Sequence, residues 1–325
     1  MRRIGRSLLL LTICLALGVS TATSVLAQSP SLSWLPCEEI NATLPPAVKL
    51  YESRMPAIPL CAWYVSYDLQ DQNLQFKALL SQDGDGRETV TEFAAAEKAL
   101  VAMNAGYFAI NGNKAVSVSL VMVEGQILAS NVESVNKNGL VYYPTRSAFA
   151  LLTNNSPDVA WVYPVSGVTY AYINPSPIKV LQPQPQPTAA FPIGGLPWPA
   201  TMAVGGGPVL VHDNKAKVTW EEEVMFWSGT IPPPERHPRS AIGYTADNHV
   251  IMLVIDGRYS GSRGVSLQEL ADIMVSLDCV EALNLDGGGS SALVVMQKLI
   301  NRPEGGTFQR QVTSAVAVTY NNGKR

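Results

Sequence analysis

Four short segments of the chain place glycine, in three of them together with polar side chains, at the point where a strand-like stretch ends. They lie at 104–106, 205–207, 256–258 and 286–290. Strand ends hold side chains on a rigid scaffold, and a glycine such as Gly206 lets a ligand approach the backbone closely. Consecutive N–H groups in such turns can also bind a phosphate. Any one segment could be an ordinary tight turn, but two glycine triplets, each with a cost in conformational entropy, favour a functional site.

Two aspartates in these segments are candidates for acid–base chemistry. Asp286 follows the strand-like stretch 280–285, which ends in Ala-Leu-Asn-Leu, and Asp256 follows the apolar stretch 250–255. Both carboxylates should therefore emerge at strand ends. A pair of carboxylates at neighbouring strand ends fits general acid–base catalysis or glycosyl transfer. It fits a metal site or two Asx turns equally well, so the residues alone leave these alternatives open.

Basic side chains near the same segments could bind a phosphate. Arg239 and Arg258 lie beside the aspartate segments and belong to no helical ladder of charges. Arginine is suited to bidentate contact with phosphate, although an ion pair with a nearby aspartate is the simpler alternative. His237 could donate a proton or contact the phosphate, or it could simply be an exposed loop residue.

Other chemistries lack their sequence signatures. The chain has no G-x-S-x-G elbow, no phosphate-binding G-x-x-x-x-G-K-[ST] loop and no Cys/His cluster for zinc. Ser290 follows glycine, but none of the three histidines has a diagnostic spacing, so a serine hydrolase is a minor alternative. No cofactor is predicted. A divalent cation near Asp83, Asp85 or Asp286 stays open, although the turn at 81–87 lacks the EF-hand spacing.

The first 27 residues have the plan of a secretory signal peptide. Arg2, Arg3 and Arg6 precede an apolar run at 8–19, and Val-Leu-Ala at 25–27 suits a cleavage site. The run is too short to span a bilayer comfortably. We therefore expect an exported protein that works in the periplasm or outside the cell.

The charge balance and hydropathy exclude two kinds of partner. Cleavage would remove three arginines from 23 Lys+Arg and none of the 26 Asp+Glu, which leaves 20 against 26 and a net charge of −6. No basic stripe remains, so nucleic acid is not an expected partner. No later apolar run is long enough for a membrane helix, so no stable membrane span is expected after cleavage.

Most of the elements that position these residues read as strands joined by tight turns. Helices are predicted at 89–98 and 266–277, each opened by a capping box of a hydroxyl residue and a glutamate three positions later. Residues 28–80 read as a partly irregular N-terminal extension. The proline-rich stretch at 175–199 reads as an extended surface insertion. We predict an α+β fold with mixed sheets and one main catalytic domain over 81–325.

The three cysteines outside the signal peptide are assigned by their surroundings. Cys37 and Cys61 flank a segment with little helix or strand pattern, and an exported protein meets an oxidising environment. We therefore predict a disulfide between them. Cys279 lies in the apolar stretch 275–285 and is predicted to be a buried, inert thiol.

Taken together, these segments resemble the phosphodiester glycosidase family. Six stretches carry the resemblance, in the family's order, at 104–108, 205–210, 236–243, 254–258, 264–271 and 283–292. The last, Leu-Asn-Leu-Asp-Gly-Gly-Gly-Ser-Ser-Ala, is the most specific. Ser240 stands where the family pattern has threonine. The resemblance covers about residues 90–320 and includes neither residues 28–80 nor the proline-rich insertion.

The resemblance implies hydrolysis of the bond between a sugar anomeric carbon and a phosphodiester oxygen. A phosphate leaves readily, so the site needs charge stabilisation more than a strong general acid. Asp286 is the first candidate for nucleophile or base and Asp256 the second. The residues implied to bind or orient the sugar-phosphodiester are Arg239, Arg258, His237, Asn104, Gly206, Gly287, Gly288 and Ser290. The alternative is an exported protein that binds a glycan or envelope polymer without turnover.

Overall fold

The computed structural model describes residues 29–179, 181–182, 184–226 and 232–321. The predicted signal peptide at 1–27 lies outside these residues. Within the described part of the chain, no helix is long and apolar enough to cross a membrane.

Helices are short and few in the described chain. The α-helices are Glu38–Asn41, Val90–Glu97 and Leu267–Ser276, and 3-10 turns occur at Gly288–Ser290 and Pro303–Gly305. Thr89 and Ser266 each accept a hydrogen bond from the backbone N–H of the glutamate three residues later, and that glutamate bonds back to the cap. Both predicted helices and both capping boxes are confirmed.

Three large sheets form the body of the molecule. The eight-stranded sheet has the spatial order Leu35–Pro36, Val48–Met55, Leu60–Asp68, His249–Ile255, Arg239–Thr245, Cys279–Asn284, Val209–His212 and Lys215–Ala216. The seven-stranded sheet has the order Leu196–Pro197, Val168–Tyr172, Pro157–Val165, Arg146–Leu152, Ala200–Gly205, Val121–Val123 and Gln126–Ala129. The five-stranded sheet has the order Lys298–Leu299, Leu293–Val295, Val101–Asn104, Ser314–Tyr320 and Leu74–Leu80.

Two small hairpins complete the described strands. They are Val135–Lys137 with Leu140–Tyr142, and Phe108–Asn111 with Lys114–Ser117. The second hairpin follows directly from the strand that ends at Asn104. It therefore lies close to one of the segments that the sequence marks as functional.

A common apolar core joins the three large sheets. It contains buried strand residues from each of them, among which are Val250 and Val254, Phe149 and Trp161, and Met103. Helix Leu267–Ser276 covers the other face of the eight-stranded sheet with its own apolar cluster. Burying a large aliphatic or aromatic side chain contributes about 1.5–3 kcal/mol, so this core is a rigid support for the strand ends.

The predicted α+β fold with few helices is confirmed, because strands make up 44% of the described residues and helices 10%. The sheets are more uniform than expected, since every pairing between the described strands of these sheets is antiparallel. Short turns are enough for antiparallel neighbours, whereas parallel neighbours need long crossovers.

The N-terminal region is more regular than the sequence indicates. Residues 28–80 read as a partly irregular extension, but Val48–Met55 is an eight-residue strand paired along its whole length with Leu60–Asp68. Strand Leu60–Asp68 pairs in turn with His249–Ile255. Residues 48–68 are therefore an integral part of the sheet that carries Asp256 and Asp286 at its edge.

The predicted disulfide between Cys37 and Cys61 is wrong, because both thiols are free. Cys37 donates its backbone N–H to Leu50, whereas Cys61 is the register partner of Arg54, on the opposite flank of the same strand. Four residues along a strand correspond to about 13 Å. A disulfide spans Cα atoms no more than about 7 Å apart. Cys279 is buried, as predicted, and burial raises the pKa of its thiol.

Candidate functional site

One edge of the eight-stranded sheet gathers the candidate residues. Strand Arg239–Thr245 begins there, and strand Cys279–Asn284 ends there, with Ala241 paired to Asn284. A cavity of about 230 Å³ opens at this edge. Its lining residues are Tyr107, Pro208, Trp220, Met225, Arg239, Arg258, Leu267, Asn284, Asp286, Gly287, Gly288 and Arg310.

Asp286 lines the cavity with its side chain partly exposed. Its backbone N–H donates to Ala105 O at 3.0 Å, which fixes where the strand ends. Burial raises the pKa of its carboxyl from 3.8 to about 6, against the opposing effects of Ser290, Arg310, the Gly287 N–H and Arg258. The carboxyl can therefore take up and release a proton near neutral pH.

Asn104 holds Asp286 in place instead of lining the cavity. Its Nδ2 donates to the backbone O of Asp286 at 2.6 Å. Its Oδ1 accepts from Ser240 Oγ at 2.7 Å and from the backbone N of Ala292 at 3.2 Å. This fully buried amide ties three segments together and holds the backbone at Asp286. The sequence predicts that Asn104 acts on the substrate directly, whereas the structure places its amide against the backbone of Asp286.

Arg239 presents a buried guanidinium to the cavity. Its Nε donates to Val265 O at 3.2 Å and its Nη2 donates to Glu235 O at 3.0 Å. Both acceptors are backbone carbonyls, and no carboxylate among the described residues pairs with Arg239. Burial lowers the pKa of Arg239 to about 10, which leaves the group charged at neutral pH. An anion entering the cavity would meet an uncompensated positive charge.

Arg258 and Arg310 lie over the glycine turn that follows Asp286. A Cβ on Gly288 would come to 3.0 Å from Arg258 Nη2, and one on Gly289 would come closer than 3.0 Å to Arg310. Gly288 also has a φ of +60°, which favours glycine. The glycine run of the 286–290 segment thus lets two guanidinium groups approach the backbone beside the carboxylate.

Glu304 bridges these two arginines at the rim of the cavity. It forms an ion pair with Arg258 Nη1, and its other oxygen lies 3.9 Å from Arg310 Nη2. Arg310 Nη1 also donates to Ser290 Oγ at 3.4 Å. Sequence reasoning missed Arg310 and Glu304, since both lie in an irregular stretch with no motif.

His237 fixes the orientation of Arg258 and does not line the cavity. Its Nδ1 accepts from Arg258 Nε at 3.1 Å, and its Nε2 lies 3.1 Å from a carboxylate oxygen of Glu235. Because Nδ1 accepts a bond, the proton of a neutral ring resides on Nε2. His237, predicted as a phosphate contact, is thus placed against Arg258 and outside the cavity wall.

Asn284 and Trp220 offer unsatisfied polar atoms to the same cavity. Asn284 Nδ2 donates to Tyr107 Oη at 2.7 Å and to Gly207 O at 2.9 Å, but its Oδ1 has no partner among the described residues. Trp220 Nε1 is likewise buried without an acceptor in the described part of the chain. Two residues of the cavity wall therefore carry one acceptor and one donor that no described residue satisfies. Strand alternation could have indicated Asn284, because it lies two positions before Asp286.

Tyr107 lies between Asn284 and the charged side chains of Asp286 and Arg239. Its hydroxyl donates to Gly207 O at 2.7 Å. Burial raises the pKa of Tyr107, and so does the negative charge of Asp286, while Arg239 opposes the shift. The phenol therefore stays protonated at neutral pH and serves as a fixed polar wall.

Asp256 is not part of the cavity wall, contrary to its prediction as second catalytic carboxylate. It is fully buried and accepts from Asn301 Nδ2 at 3.0 Å, from the Arg302 backbone N at 3.1 Å and from Tyr259 Oη at 3.1 Å. Burial raises its pKa and these donors oppose the rise. Asp256 thereby fixes the loop after its own strand to residues 301–302.

The predicted glycines and serine divide between the cavity wall and its support. Gly287 and Gly288 line the cavity. Gly206 lies behind it, where its N–H donates to Ser147 O at 3.0 Å and a Cβ would clash with Asn284 O. Ser290 is buried, and its hydroxyl favours the ionised form of Asp286.

A cation site at the predicted aspartates has no support in the described geometry. Asp83 and Asp85 lie in an exposed turn, where Asp85 pairs with Arg87. Where the structure is described, the one group with metal-ligand spacing is His212, Asp213 and Glu281, whose ligand atoms lie within 4.8 Å of one another. That group lines a separate groove.

Comparison with known proteins gives a family-level match. A family model described as phosphodiester glycosidase matches residues 97–319. The chain is 37% identical over 65 residues to the Bos taurus N-acetylglucosamine-1-phosphodiester alpha-N-acetylglucosaminidase. It is 35% identical over 111 residues to the SPbeta prophage-derived uncharacterized protein YomE of Bacillus subtilis. These alignments cover 20% and 34% of this chain, but only 12% and 16% of the two relatives' lengths.

A solved structure has a similar fold. The catalytic domain of the zebrafish N-acetylglucosamine-1-phosphodiester alpha-N-acetylglucosaminidase superposes with a TM-score of 0.55 at 15% identity. The match covers 85% of this chain and 84% of that chain. At this identity the likeness concerns the fold alone.

Proposed function

This chain belongs to the phosphodiester glycosidase family, and on that premise we propose that it hydrolyses the bond between a sugar anomeric carbon and a phosphodiester oxygen. The observation that carries the proposal is the placement of Asp286 in one cavity with Arg239, Arg258 and Arg310. A carboxylate beside three guanidinium groups suits a substrate whose anionic phosphate adjoins the carbon under attack.

The arginines would bind the phosphate and stabilise the charge that it gains as it leaves. Arg239 is rigidly held and has no carboxylate to neutralise it within the described chain. Arg258 and Arg310 share the carboxylate of Glu304 at the rim. A phosphodiester has the same charge as that carboxylate and would replace it at both arginines, since guanidinium groups bind phosphate in a bidentate manner.

Asp286 would act on the anomeric carbon or on the attacking water. As a base, it accepts a proton from water while the water oxygen bonds to the anomeric carbon. The bond from that carbon to the phosphate oxygen breaks, and its electron pair leaves with the phosphate monoester. With a pKa of about 6, Asp286 is ionised at neutral pH and still basic enough to accept this proton. As a nucleophile, the same carboxylate would form a glycosyl ester that water then hydrolyses.

The uncharged side of the cavity would hold the sugar. Asn284 Oδ1 offers an acceptor and Trp220 Nε1 a donor, and Met225 and Leu267 provide apolar walls. An acetamido group has one N–H donor, one C=O acceptor and one methyl, which matches this arrangement. Because the bovine relative is named for N-acetylglucosamine-1-phosphodiester, a substrate of that class is the first to test.

Export is part of the proposal. The signal-peptide pattern at 1–27 supports cleavage before Gln28 and action in the periplasm or outside the cell. N-terminal sequencing of the protein recovered from the periplasm or medium of an expressing bacterium would find Gln28 first. An intact N-terminus in the cytoplasm would refute this part.

The activity is tested by sugar release from a synthetic N-acetylglucosamine-α-1-phosphodiester. The wild type and Asp213→Asn, a matched change of an exposed aspartate in the separate groove, are expected to release the sugar. Folded Asp286→Asn is expected to lose at least about 1,000-fold in kcat, on the order of what an essential catalytic group contributes. Tight retention of the intact ester by a folded wild type would instead support the non-catalytic glycan-binding alternative.

A further inference from the structure

A second groove, of about 500 Å³, adjoins the candidate active site and has an exposed apolar lining. Phe108, Ile110 and Phe308 lie along it. The side chains of Ile110 and Phe308 are 61% and 82% exposed. Clustered exposure of large apolar side chains is unusual on a protein surface and marks a binding site.

The hairpin Phe108–Asn111 with Lys114–Ser117 supplies one wall of this groove. Successive strand residues point to opposite faces, so Phe108 and Ile110 share a face. Val116 is paired with Ala109 and belongs to the other face, although it too is 51% exposed. The apolar wall is therefore built by one face of the hairpin.

Two connections make the groove continuous with the candidate active site. Arg310 lines both the groove and the cavity that contains Asp286. Tyr107 lines the cavity, and Phe108, the next residue, lines the groove. Asn284 and Trp220, which would hold the sugar, line the cavity and not the groove. A phosphate on Arg310 would thus have the sugar on one side and the groove on the other.

We infer that this groove binds the alcohol esterified to the phosphate, and that this alcohol carries an apolar chain. The inference rests on the proposed function. The substrate class is then a sugar-1-phosphate esterified to an alkyl or lipid alcohol. Arg310 anchors its phosphate, and Phe108, Ile110 and Phe308 cover the first methylene groups of the chain.

The test compares two esters of the same sugar-1-phosphate, one with ethanol and one with octanol, below the concentration at which the octyl ester forms micelles. A buried methylene contributes about 0.8 kcal/mol, or about fourfold in kcat/KM. Burial of three of the six additional methylenes therefore predicts about a 60-fold preference for the octyl ester. Phe308→Ser and Ile110→Ser should each reduce this preference at least about fourfold, because kcat/KM for the octyl ester falls further than kcat/KM for the ethyl ester.

Val116→Ser is the matched control, because it removes an exposed apolar side chain from the other face of the same hairpin. It should keep the full preference for the octyl ester. Equal kcat/KM for the two esters in the wild type would overturn the inference and leave the proposed function standing. If Phe308→Ser weakens dimerisation but leaves the ratio of kcat/KM for the two esters unchanged, the groove binds a second copy of the chain. That result would also overturn the inference.

Equilibrium binding separates this inference from the proposed function. If the wild type hydrolyses neither ester, the proposed function fails, and calorimetric titration of both esters still decides the role of the groove. Tighter binding of the octyl ester that is lost in Phe308→Ser supports an apolar alcohol site. Equal affinity, or no binding of either ester, contradicts it.

Discussion

Replacing Asp286 with asparagine is expected to stabilise the fold while it abolishes activity. The pKa of Asp286 rises from 3.8 to about 6 on folding, chiefly through burial. The folded protein therefore binds this proton more tightly than the unfolded chain does. Below the pKa of the unfolded chain, Asp286 is protonated in both states and does not destabilise the fold. The free energy of unfolding then falls as the pH rises through about 6, the pKa in the folded protein.

The size of the effect follows from the linkage between protonation and folding. Each pKa unit corresponds to about 1.4 kcal/mol, so the ionised carboxylate costs at most about 3 kcal/mol at pH 8. At pH 5 the same relation gives a cost to stability of about 1.6 kcal/mol, because the carboxyl of the folded protein is then mostly protonated. The difference in unfolding free energy between Asp286→Asn and the wild type should thus increase by about 1.4 kcal/mol from pH 5 to pH 8. Asparagine stays uncharged over this range.

Urea unfolding of both proteins at pH 5, 6, 7 and 8 measures this difference. The pH-dependent part is the decisive quantity, because the amide can also change packing by an amount that does not vary with pH. Asp278→Asn, at an exposed position, is the matched control and should keep the wild-type pH dependence. A constant difference between Asp286→Asn and the wild type across the range would refute the assignment of a strongly raised pKa to Asp286.

Three further predictions concern catalysis and covalent structure. The kcat/KM for a sugar phosphodiester should fall tenfold per pH unit below an apparent pKa of about 6 and stay level above it, because the reaction needs ionised Asp286; a level profile down to pH 5 would contradict this. Arg310→Ala should lower kcat/KM by about 10-fold to 150-fold, which is the value of one charged hydrogen bond. Arg310→Lys should recover part of the loss. An unchanged kcat/KM would show that Arg310 does not bind the phosphate. Alkylation of the protein from residue 28 onward, denatured without reductant, should label Cys37, Cys61 and Cys279. A single labelled thiol in the mass spectrum would instead show that the predicted disulfide between Cys37 and Cys61 is present.

Features that depend on neighbours in the sequence were predictable. Both capping boxes join residues three positions apart, and both helices form where their hydrophobic pattern places them. The cluster of Asp286 with Arg239 and Arg258 could also be anticipated, because each lies at the end of an apolar strand. Strand ends of one sheet meet at a common edge once the strands pair.

Features set by distant partners were not predictable. Asp256 and Asp286 share the same local pattern of an apolar strand followed by aspartate and glycine. They differ because Asn301 and the Arg302 N–H, 45 and 46 residues away, satisfy the carboxylate of Asp256. Nothing near Asp256 in the sequence indicates these donors, and buried polar groups are hydrogen-bonded wherever a partner is available.

The cysteine assignment failed for a similar reason. The pairing of Cys37 with Cys61 assumed an irregular segment between them, but strand Val48–Met55 holds the two on opposite flanks. Strand propensity depends on the cross-strand neighbours, which a single sequence does not specify. Arg310 was missed because its role comes from contacts with Ser290 and Glu304 and not from a local motif.

Hydrolysis in water enriched in oxygen-18 tests the central claim most directly, because it reports which bond breaks. Attack at the anomeric carbon, assisted by Asp286, predicts that the label appears in the released sugar and that the phosphate monoester contains none. Attack at phosphorus would place the label in the phosphate. That result would contradict a glycosidase mechanism and identify the same cavity as the site of a phosphodiesterase.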